Sequence, residues 1–351
     1  MSNISYPKSQ SRPILLATLL TILVHLILNN SAFGAFRKAK PTPIPYAQSK
    51  GDKLAEAQRL ADQAALLHKQ GRYDEAIPIV ERWLAIVEKA LGPRDPNVAT
   101  ALNNLGYLHQ EKGDYAKAEP IFQRALAIRE KANGATHPDV AIDLNNLAAL
   151  YHYKGDYLKA EPLYQRALTI VEKALGPQDP LVAMALNNLG ELYRAKADYS
   201  RAQPLLERAT AIQEKALGPE HPDLAVNLRN LGSVYAELSD SLKAEALFQR
   251  ALAIDEKARG AKHPDVATDL SCLAVLYFKK GDYAKAEPIF QRALAIAETA
   301  NGPEHPSVGI ALNNLAELHR ERGDYLKAEP LYQRALVSLR NRERRTIPIW
   351  R

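Results

Sequence analysis

One segment of the sequence returns every 42 residues with no slippage. The sixteen residues GDYAKAEPIFQRALAI occupy positions 113–128 and recur unchanged at 281–296. Counting the looser copies, seven versions of the segment begin at residues 71, 113, 155, 197, 239, 281 and 323. A fixed period of this size is typical of a solenoid, in which one supersecondary unit stacks on the next.

The first 34 residues have the pattern of an export signal. Lys8 and Arg12 form a short basic region, and residues 14–28 form an apolar run. Small residues, Ala32 and Gly34, precede a possible cleavage site. Because an α-helix needs about 20 apolar residues to span a bilayer, the run favours a cleaved signal, with an uncleaved membrane anchor as the alternative. We therefore expect an exported protein, periplasmic or secreted, that contacts a membrane only through an uncleaved N-terminus.

The rest of the chain divides by composition and charge. We expect a proline-rich linker at 35–51, seven repeat units at 52–341 and a basic tail at 342–351. The formal net charge is +6, of which Lys8 and Arg12 supply two and residues 340–351 supply four. The remainder is near neutral, which argues against nucleic-acid binding, since that affinity comes largely from neutralised phosphates.

Each unit is predicted to be a pair of helices. In the type unit, helix A covers about 97–112 and helix B about 115–132. Gly113 between them suits the positive φ of a helix C-terminus, and Asp114 suits the N-cap of helix B. The linkers to the next unit contain a glycine that ends helix B, followed by His-Pro or Asp-Pro, which places proline at the start of the next helix A.

Small residues recur where the two helices of a unit must meet. Helix B places alanines such as Ala118 and Ala125 around a larger residue, Phe122. In helix A, the residue after the central leucine is always glycine or alanine, at Gly106, Ala148, Gly190, Gly232, Ala274 and Ala316. A bulky side chain at such a contact would overpack it.

This alternation of small and large residues resembles the tetratricopeptide repeat, and most closely the kinesin light chain type. That type has longer repeats similar to LNNLA, GDYxKAEPLYQRAL and HPDVA of this chain. The resemblance covers about 52–341 and implies an all-α solenoid, a right-handed superhelix of about seven helix-turn-helix units. The heptad region that joins the family's light chains to a motor is absent, so the resemblance implies the fold and not the motor function.

Motifs for catalysis or metal binding are missing from the sequence. There is no Gly-rich phosphate loop, no GxSxG turn and no closely spaced histidine pair, and the single cysteine, Cys272, is predicted to be a small buried side chain. The linker histidines are interpreted as helix-start residues, and the acids as residues on solvated faces. We therefore expect no enzymatic activity, no cofactor, no metal and no small-molecule substrate.

Paired asparagines in the A helices are the candidate site. Asparagine is a mediocre helix former, and a helical projection places the side of Asn104 opposite the stripe that faces helix B. In the family, the A helices line the concave groove, and the resemblance implies that Asn104 and its equivalents bind the backbone of a peptide. The alternative is an asparagine ladder between neighbouring units. The candidate peptide-binding residues are Asn103, Asn104, Asn145, Asn146, Asn187, Asn188, Arg194, Arg229, Asn230, Lys279, Asn313, Asn314 and Arg320.

These observations favour a non-catalytic scaffold that binds an extended segment of a partner protein in its groove. A helical-repeat assembly factor that binds nucleic acid or a membrane is the alternative. The near-neutral repeats argue against nucleic acid as the partner.

Overall fold

The computed structural model describes residues 51–69 and 71–344, which form α-helices joined by short turns and contain no strand. The export signal, the linker up to residue 50 and the last seven residues lie outside the described residues. In chain order the helices are α1 (Gly51–Lys69), α2 (Tyr73–Leu91), α3 (Pro96–Glu111), α4 (Tyr115–Asn133), α5 (Pro138–Tyr153), α6 (Tyr157–Leu175), α7 (Pro180–Ala195), α8 (Tyr199–Leu217), α9 (Leu224–Glu237), α10 (Ser241–Arg259), α11 (Pro264–Lys279), α12 (Tyr283–Asn301), α13 (Pro306–Glu321) and α14 (Tyr325–Arg344).

These helices form seven consecutive pairs, units 1 to 7, with odd-numbered A helices and even-numbered B helices. Each A helix packs most extensively on the B helix of its own unit, and each B helix packs on the A helix of the next unit. From α3 onward the backbones of successive A helices also approach one another more closely than those of successive B helices. The stack is therefore a solenoid with the A helices on its inner side, which confirms the predicted fold class.

The linkers begin the A helices in the predicted way. Asp95 and Asp179 each accept a hydrogen bond from the backbone N–H two residues ahead. His137, His263 and His305 do the same through Nδ1. The structure thus confirms that these linker residues start helices, where they satisfy an otherwise unpaired N–H.

The turn between the two helices of a unit needs a left-handed residue. Gly113 has φ +80°, as predicted for the end of helix A. In two units the same place is taken by Ala197 (φ +56°) and Ser239 (φ +64°). Residues that carry a side chain rarely adopt a positive φ, so these two turns have backbone strain that glycine avoids in the other units.

The small residues of helix A allow the close approach that the sequence predicts. A Cβ placed on Gly106 would lie 2.8 Å from the Phe122 ring, and one on Gly190 would lie 2.7 Å from Leu206. Ala118 and Ala125 are buried on either side of Phe122. The core therefore runs continuously from unit to unit between the two layers of helices. None of the described helices is long and apolar enough to cross a membrane.

Candidate functional site

The inner side of the A helices carries a row of partly exposed side chains. In α3, the residues after Pro96 that are not buried are Asn97, Thr100, Asn104, Tyr107 and Glu111. Their spacing of three and four residues places them on one face of the helix. We call these five positions, and their equivalents 42 residues apart in the other A helices, the inner stripe. This stripe is the surface that a ligand in the groove would meet.

The inner stripe is less exposed in the middle of the chain than in α3. Every residue of α9 from Leu224 to Tyr235 is buried, including Asn230 and Ser233 of the stripe. Neighbouring A helices therefore close over the stripe in unit 5, and the exposed residues of the stripe lie in other units.

Four asparagines form a ladder between units 3, 4 and 5. Asn188 Nδ2 donates to Asn145 Oδ1 over 2.8 Å, and Asn230 Nδ2 donates to Asn187 Oδ1 over 3.0 Å. In each case the second asparagine of one unit binds the first asparagine of the unit before it. All four side chains are buried, so for these residues the structure has the geometry of the ladder alternative.

The ladder does not continue into units 2, 6 and 7. Asn103 donates to the buried Asp143, and Asn104 donates to the Thr100 carbonyl of its own helix over 2.8 Å. In unit 6 the two positions hold Ser271 and Cys272, and the Ser271 hydroxyl bonds to its own helix. Asn314 in unit 7 is consequently buried with no hydrogen-bond partner among the described residues. Partly exposed asparagines remain at Asn104, Asn146 and Asn313.

Three of the four charged candidates form ion pairs with glutamates of the A helices. Arg194 makes a two-pronged contact with Glu191, at 2.9 and 2.8 Å, and both side chains are buried. Arg320 binds Glu317 in the same i,i+3 arrangement at 3.0 and 2.9 Å, but is half-buried. Lys279 is exposed and reaches Glu237 of the preceding A helix over 2.6 Å.

Arg229 does not lie on the groove surface, contrary to the prediction from the sequence. Its side chain is only 1% exposed, and its Nη1 donates to Asp255 at 3.0 Å and to Asp269 at 2.7 Å. Residue 229 is equivalent to residue 103, which points toward the next unit, whereas residue 104 one step (100°) further on points into the groove. Arg229 is therefore a structural residue between units 5 and 6 and not a contact for a partner.

The expectation that all acids lie on solvated faces is also wrong. Asp143, Asp255 and Asp269 are buried. Burial raises the pKa of Asp143 to about 6 and that of Asp269 to about 7, and the neighbouring arginines Arg129 and Arg229 partly oppose the shift. The sequence held a signal for two of these residues, because the equivalents of Asp143 and Asp269 in units 2, 4 and 7 are alanines, Ala101, Ala185 and Ala311.

The side chains of the inner stripe can form non-covalent contacts. Cys272 is buried as predicted, and burial raises the pKa of its thiol to about 12, which keeps it protonated and unreactive. In the part of the chain that the structure describes, no group of His, Cys, Asp and Glu side chains is arranged to hold a metal ion. The partly exposed amides, Tyr107 and Lys279 provide donors and acceptors for hydrogen bonds to a polypeptide.

The sequence matches a family model described as tetratricopeptide repeat. The matches cover residues 54–131, 98–173, 139–215, 198–257 and 265–340, which together take in most of the chain. Among curated proteins, the chain is 33% identical over 85 residues to the secreted RxLR effector protein RXLR-C07 of Plasmopara halstedii. That match spans about a quarter of each protein, 24% of this chain and 25% of the effector.

Solved structures of other proteins have a similar fold. The putative kinesin light chain of Podosopora anserina, with nearly identical TPR-like repeats, has a TM-score of 0.50 and 25% identity, covering 58% of this chain and 96% of that one. The Rap conjugation gene regulator of the plasmid pLS20, in complex with the Phr* peptide, has a TM-score of 0.65 and 15% identity, covering 90% of this chain and 82% of that one.

Proposed function

Since the chain belongs to the tetratricopeptide repeat family, with repeats of the kinesin light chain type, we propose that it is a non-catalytic scaffold that binds an extended segment of a partner protein along the inner stripe. The observation that carries this proposal is the stripe itself. It keeps polar side chains partly exposed on the inner side of the stack. Other polar side chains of the A helices, such as the ladder asparagines, are buried and bond from one unit to the next. The Rap regulator, which has the same fold, holds a peptide in its structure.

The proposed contacts are the exposed or partly exposed candidates on or beside the stripe. Asn104, Asn146 and Lys279 lie on the stripe, and Asn313 and Arg320 lie beside it. The four ladder asparagines are already bonded to one another, so their amides would act by positioning the A helices. The proposed contact set is thus concentrated in units 2, 3, 6 and 7.

A random peptide library displayed on phage tests the proposal, because it supplies ligands for the stripe whatever the natural partner is. Peptides selected on the full chain should lose affinity about two- to tenfold for each stripe asparagine replaced by alanine, since a neutral hydrogen bond contributes about 0.5–1.5 kcal/mol. Asn104→Ala and Asn146→Ala are the test variants. Leu158→Ala is the matched control, because this residue is 88% exposed at the start of a B helix, away from the stripe. Equal affinity for the parent and the Asn104→Ala, Asn146→Ala double variant would refute binding along the stripe.

The same peptides separate this function from the nucleic-acid alternative. Binding to phosphates falls steeply and linearly in a plot of log affinity against log salt. Binding through neutral amides should change little between about 50 and 200 mM salt, the range over which phosphate binders lose several orders of magnitude. A nucleic acid that binds more tightly than any selected peptide, with a steep salt slope, would favour the alternative.

We also propose that the protein is exported, with residues 1–34 as the signal. The proposal is supported by the basic residues Lys8 and Arg12 followed by the apolar run at 14–28. A fusion of residues 1–40 to a reporter that is active only after export should be active. A fusion that remains inactive, with the reporter in the cytoplasm, would rule out the signal.

A further inference from the structure

The last helix, α14, presents an apolar side chain that its equivalents in other units keep covered. Leu336 is 66% exposed. Its equivalents pack against the A helix of the following unit and are only partly exposed, at Leu84, Leu126, Leu168, Leu252 and Leu294. Tyr332 shows the same loss of cover, because its equivalents Phe122 and Phe290 are buried whereas Tyr332 is half-buried. We call Glu329, Leu331, Tyr332 and Leu336 the terminal face.

The repeat itself shows what kind of element fits this face. In every other unit, the covering element is an A helix. In units 2, 3, 5 and 6, the C-terminal end of the A helix that follows supplies a hydrogen-bond donor to a glutamate of the B helix. Glu119, for example, accepts from the Tyr151 hydroxyl at 2.9 Å and from Lys154 Nζ at 2.5 Å. Glu329 is the equivalent acid in α14, where it is exposed and accepts a bond from Gln333 of its own helix.

Charge at the other end of the contact restricts the first turn of the fitting helix. The first turns of two A helices carry acids that pair with an arginine near the end of the preceding B helix. Arg259 binds Asp265 at 3.0 Å, and Arg129 lies 3.5 Å from Asp139. In α14 the equivalents of these arginines are Leu339 and Glu343. A helix that has no acid in its first turn and a base in its last turn, beside Glu329, therefore matches both ends of the terminal face.

A second copy of this chain stacked head to tail does not meet these requirements. The free side of α1 exposes Leu66 (57%) together with Gln58, Arg59, Asp62 and Gln63. Arg59 and Gln63 stand where α3 has the buried Ala101 and Leu105. Apart from Leu66, the first unit thus ends the stack with polar side chains, and stacking would place Arg59 against the apolar residues of α14 at a cost in desolvation.

We propose that the terminal face is a second binding site, distinct from the inner stripe, that docks an amphipathic helix of a partner protein. This partner helix has no acid in its first turn, carries leucines in its middle, and has a tyrosine and a lysine in its last turn. Such a helix would continue the stack by one element and bury Leu336 and Tyr332 in the way that α5 buries Leu126.

A peptide taken from the chain provides the probe, since residues 178–198 contain an A helix with all of these features, including Tyr193 and Lys196, which donate to Glu161. The fluorescently labelled peptide is titrated with the full chain, and binding is followed by anisotropy. Saturable binding is expected, weakened roughly tenfold or more by Leu336→Glu, which would bury a charge in the contact. Leu326→Glu is the matched control and should bind normally. Leu326 is 92% exposed, and its equivalents Leu158 (88%) and Leu242 (81%) stay exposed even where a following unit is present, so this position lies outside the contact.

A charge exchange tests the predicted orientation of the helix. Glu329→Lys should weaken binding of the parent peptide, and binding should recover with a peptide that carries Lys196→Glu. Circular dichroism verifies that each variant keeps its helix content, which is expected because both substituted residues are exposed. Recovery with the exchanged pair is an outcome that a general loss of stability could not produce.

Three results would overturn the proposal. The first is no saturable binding of the peptide, and the second is equal binding to the parent and the Leu336→Glu chain, which would place the peptide elsewhere, as in the groove. The third is binding that appears only when residues 345–351 are removed, or only as a concentration-dependent association of the chain that Leu336→Glu abolishes. This last result would assign the face to the chain's own tail or to a second copy.

Discussion

Replacing Asn188 by alanine should destabilise the solenoid, whereas the same change at Asn104 should not. Asn188 Nδ2 is the donor to Asn145 Oδ1, and Asn145 is only 1% exposed. Without Asn188, this buried oxygen loses its partner, which costs about 1–3 kcal/mol. Alanine regains part of this because it is the better helix former, by up to about 0.7 kcal/mol. The net loss should be about 0.3–3 kcal/mol.

Asn104 is a matched control at the equivalent position of unit 2. It is partly exposed and bonds to the Thr100 carbonyl of its own helix, so its removal leaves no side chain of another unit unpaired. The gain in helix propensity should offset the lost bond. Thermal unfolding followed by circular dichroism measures both variants. At about 2–4 °C per kcal/mol for a chain of this size class, Asn188→Ala should melt about 1–12 °C below the parent and Asn104→Ala close to the parent.

A double-mutant cycle assigns the effect to the pair. If the ladder bond causes the loss, Asn145→Ala together with Asn188→Ala should cost less than the sum of the two single changes, because neither amide is then left with an unpaired partner. Two results would refute the reasoning: equal melting temperatures for the parent and Asn188→Ala, or an equal loss for Asn104→Ala. Either one would mean that the amide bond between units 3 and 4 contributes no measurable stability.

Three further predictions concern single residues and are measured by urea unfolding. Arg229→Met should cost about 3–5 kcal/mol, because it leaves the buried Asp269 without a cation and the buried Asp255 with Arg259 alone; a loss below about 1 kcal/mol would contradict this. Burial raises the pKa of Asp269 to about 7, so this group contributes stability at acidic pH that is lost as the pH rises toward 7 and above. Asp269→Asn should therefore show a shallower fall in stability between pH 5 and 8 than the parent, and an unchanged slope would exclude this group as its source. Ala197→Gly should stabilise the chain by about 1 kcal/mol, since the alanine has φ +56°; a loss of stability would show that the turn is not strained.

The 42-residue period is sufficient to predict the helices to within one or two residues. Gly113 and the linker prolines mark helix ends through backbone geometry alone, which depends on local sequence. Helix A is predicted at about 97–112 and observed at Pro96–Glu111. Helix B is predicted at about 115–132 and observed at Tyr115–Asn133.

The asparagines could not be assigned from the sequence because their role depends on the distance between units. A helical projection gives the direction of a side chain, and residues 103 and 104 differ by only 100°. Whether Asn188 reaches Asn145 is decided by how closely two A helices approach. That approach in turn depends on packing around small residues such as Gly190. The same limitation applies to Arg229, whose partners Asp255 and Asp269 lie on two other helices.

The two identical copies of the sixteen-residue segment show how the order of nearly identical units is specified. The copies agree through residues 128 and 296 and differ at the next position, Arg129 against Ala297. This position faces the following unit: Arg129 binds the buried Asp143 over 2.8 Å, whereas Ala297 packs with Val308 and Leu312. Exchanging the neighbours would bury an arginine against apolar residues or leave Asp143 without its cation, and either change costs several kcal/mol. Variation at this one position therefore makes each unit fit its own successor, while the rest of the repeat remains free to be copied.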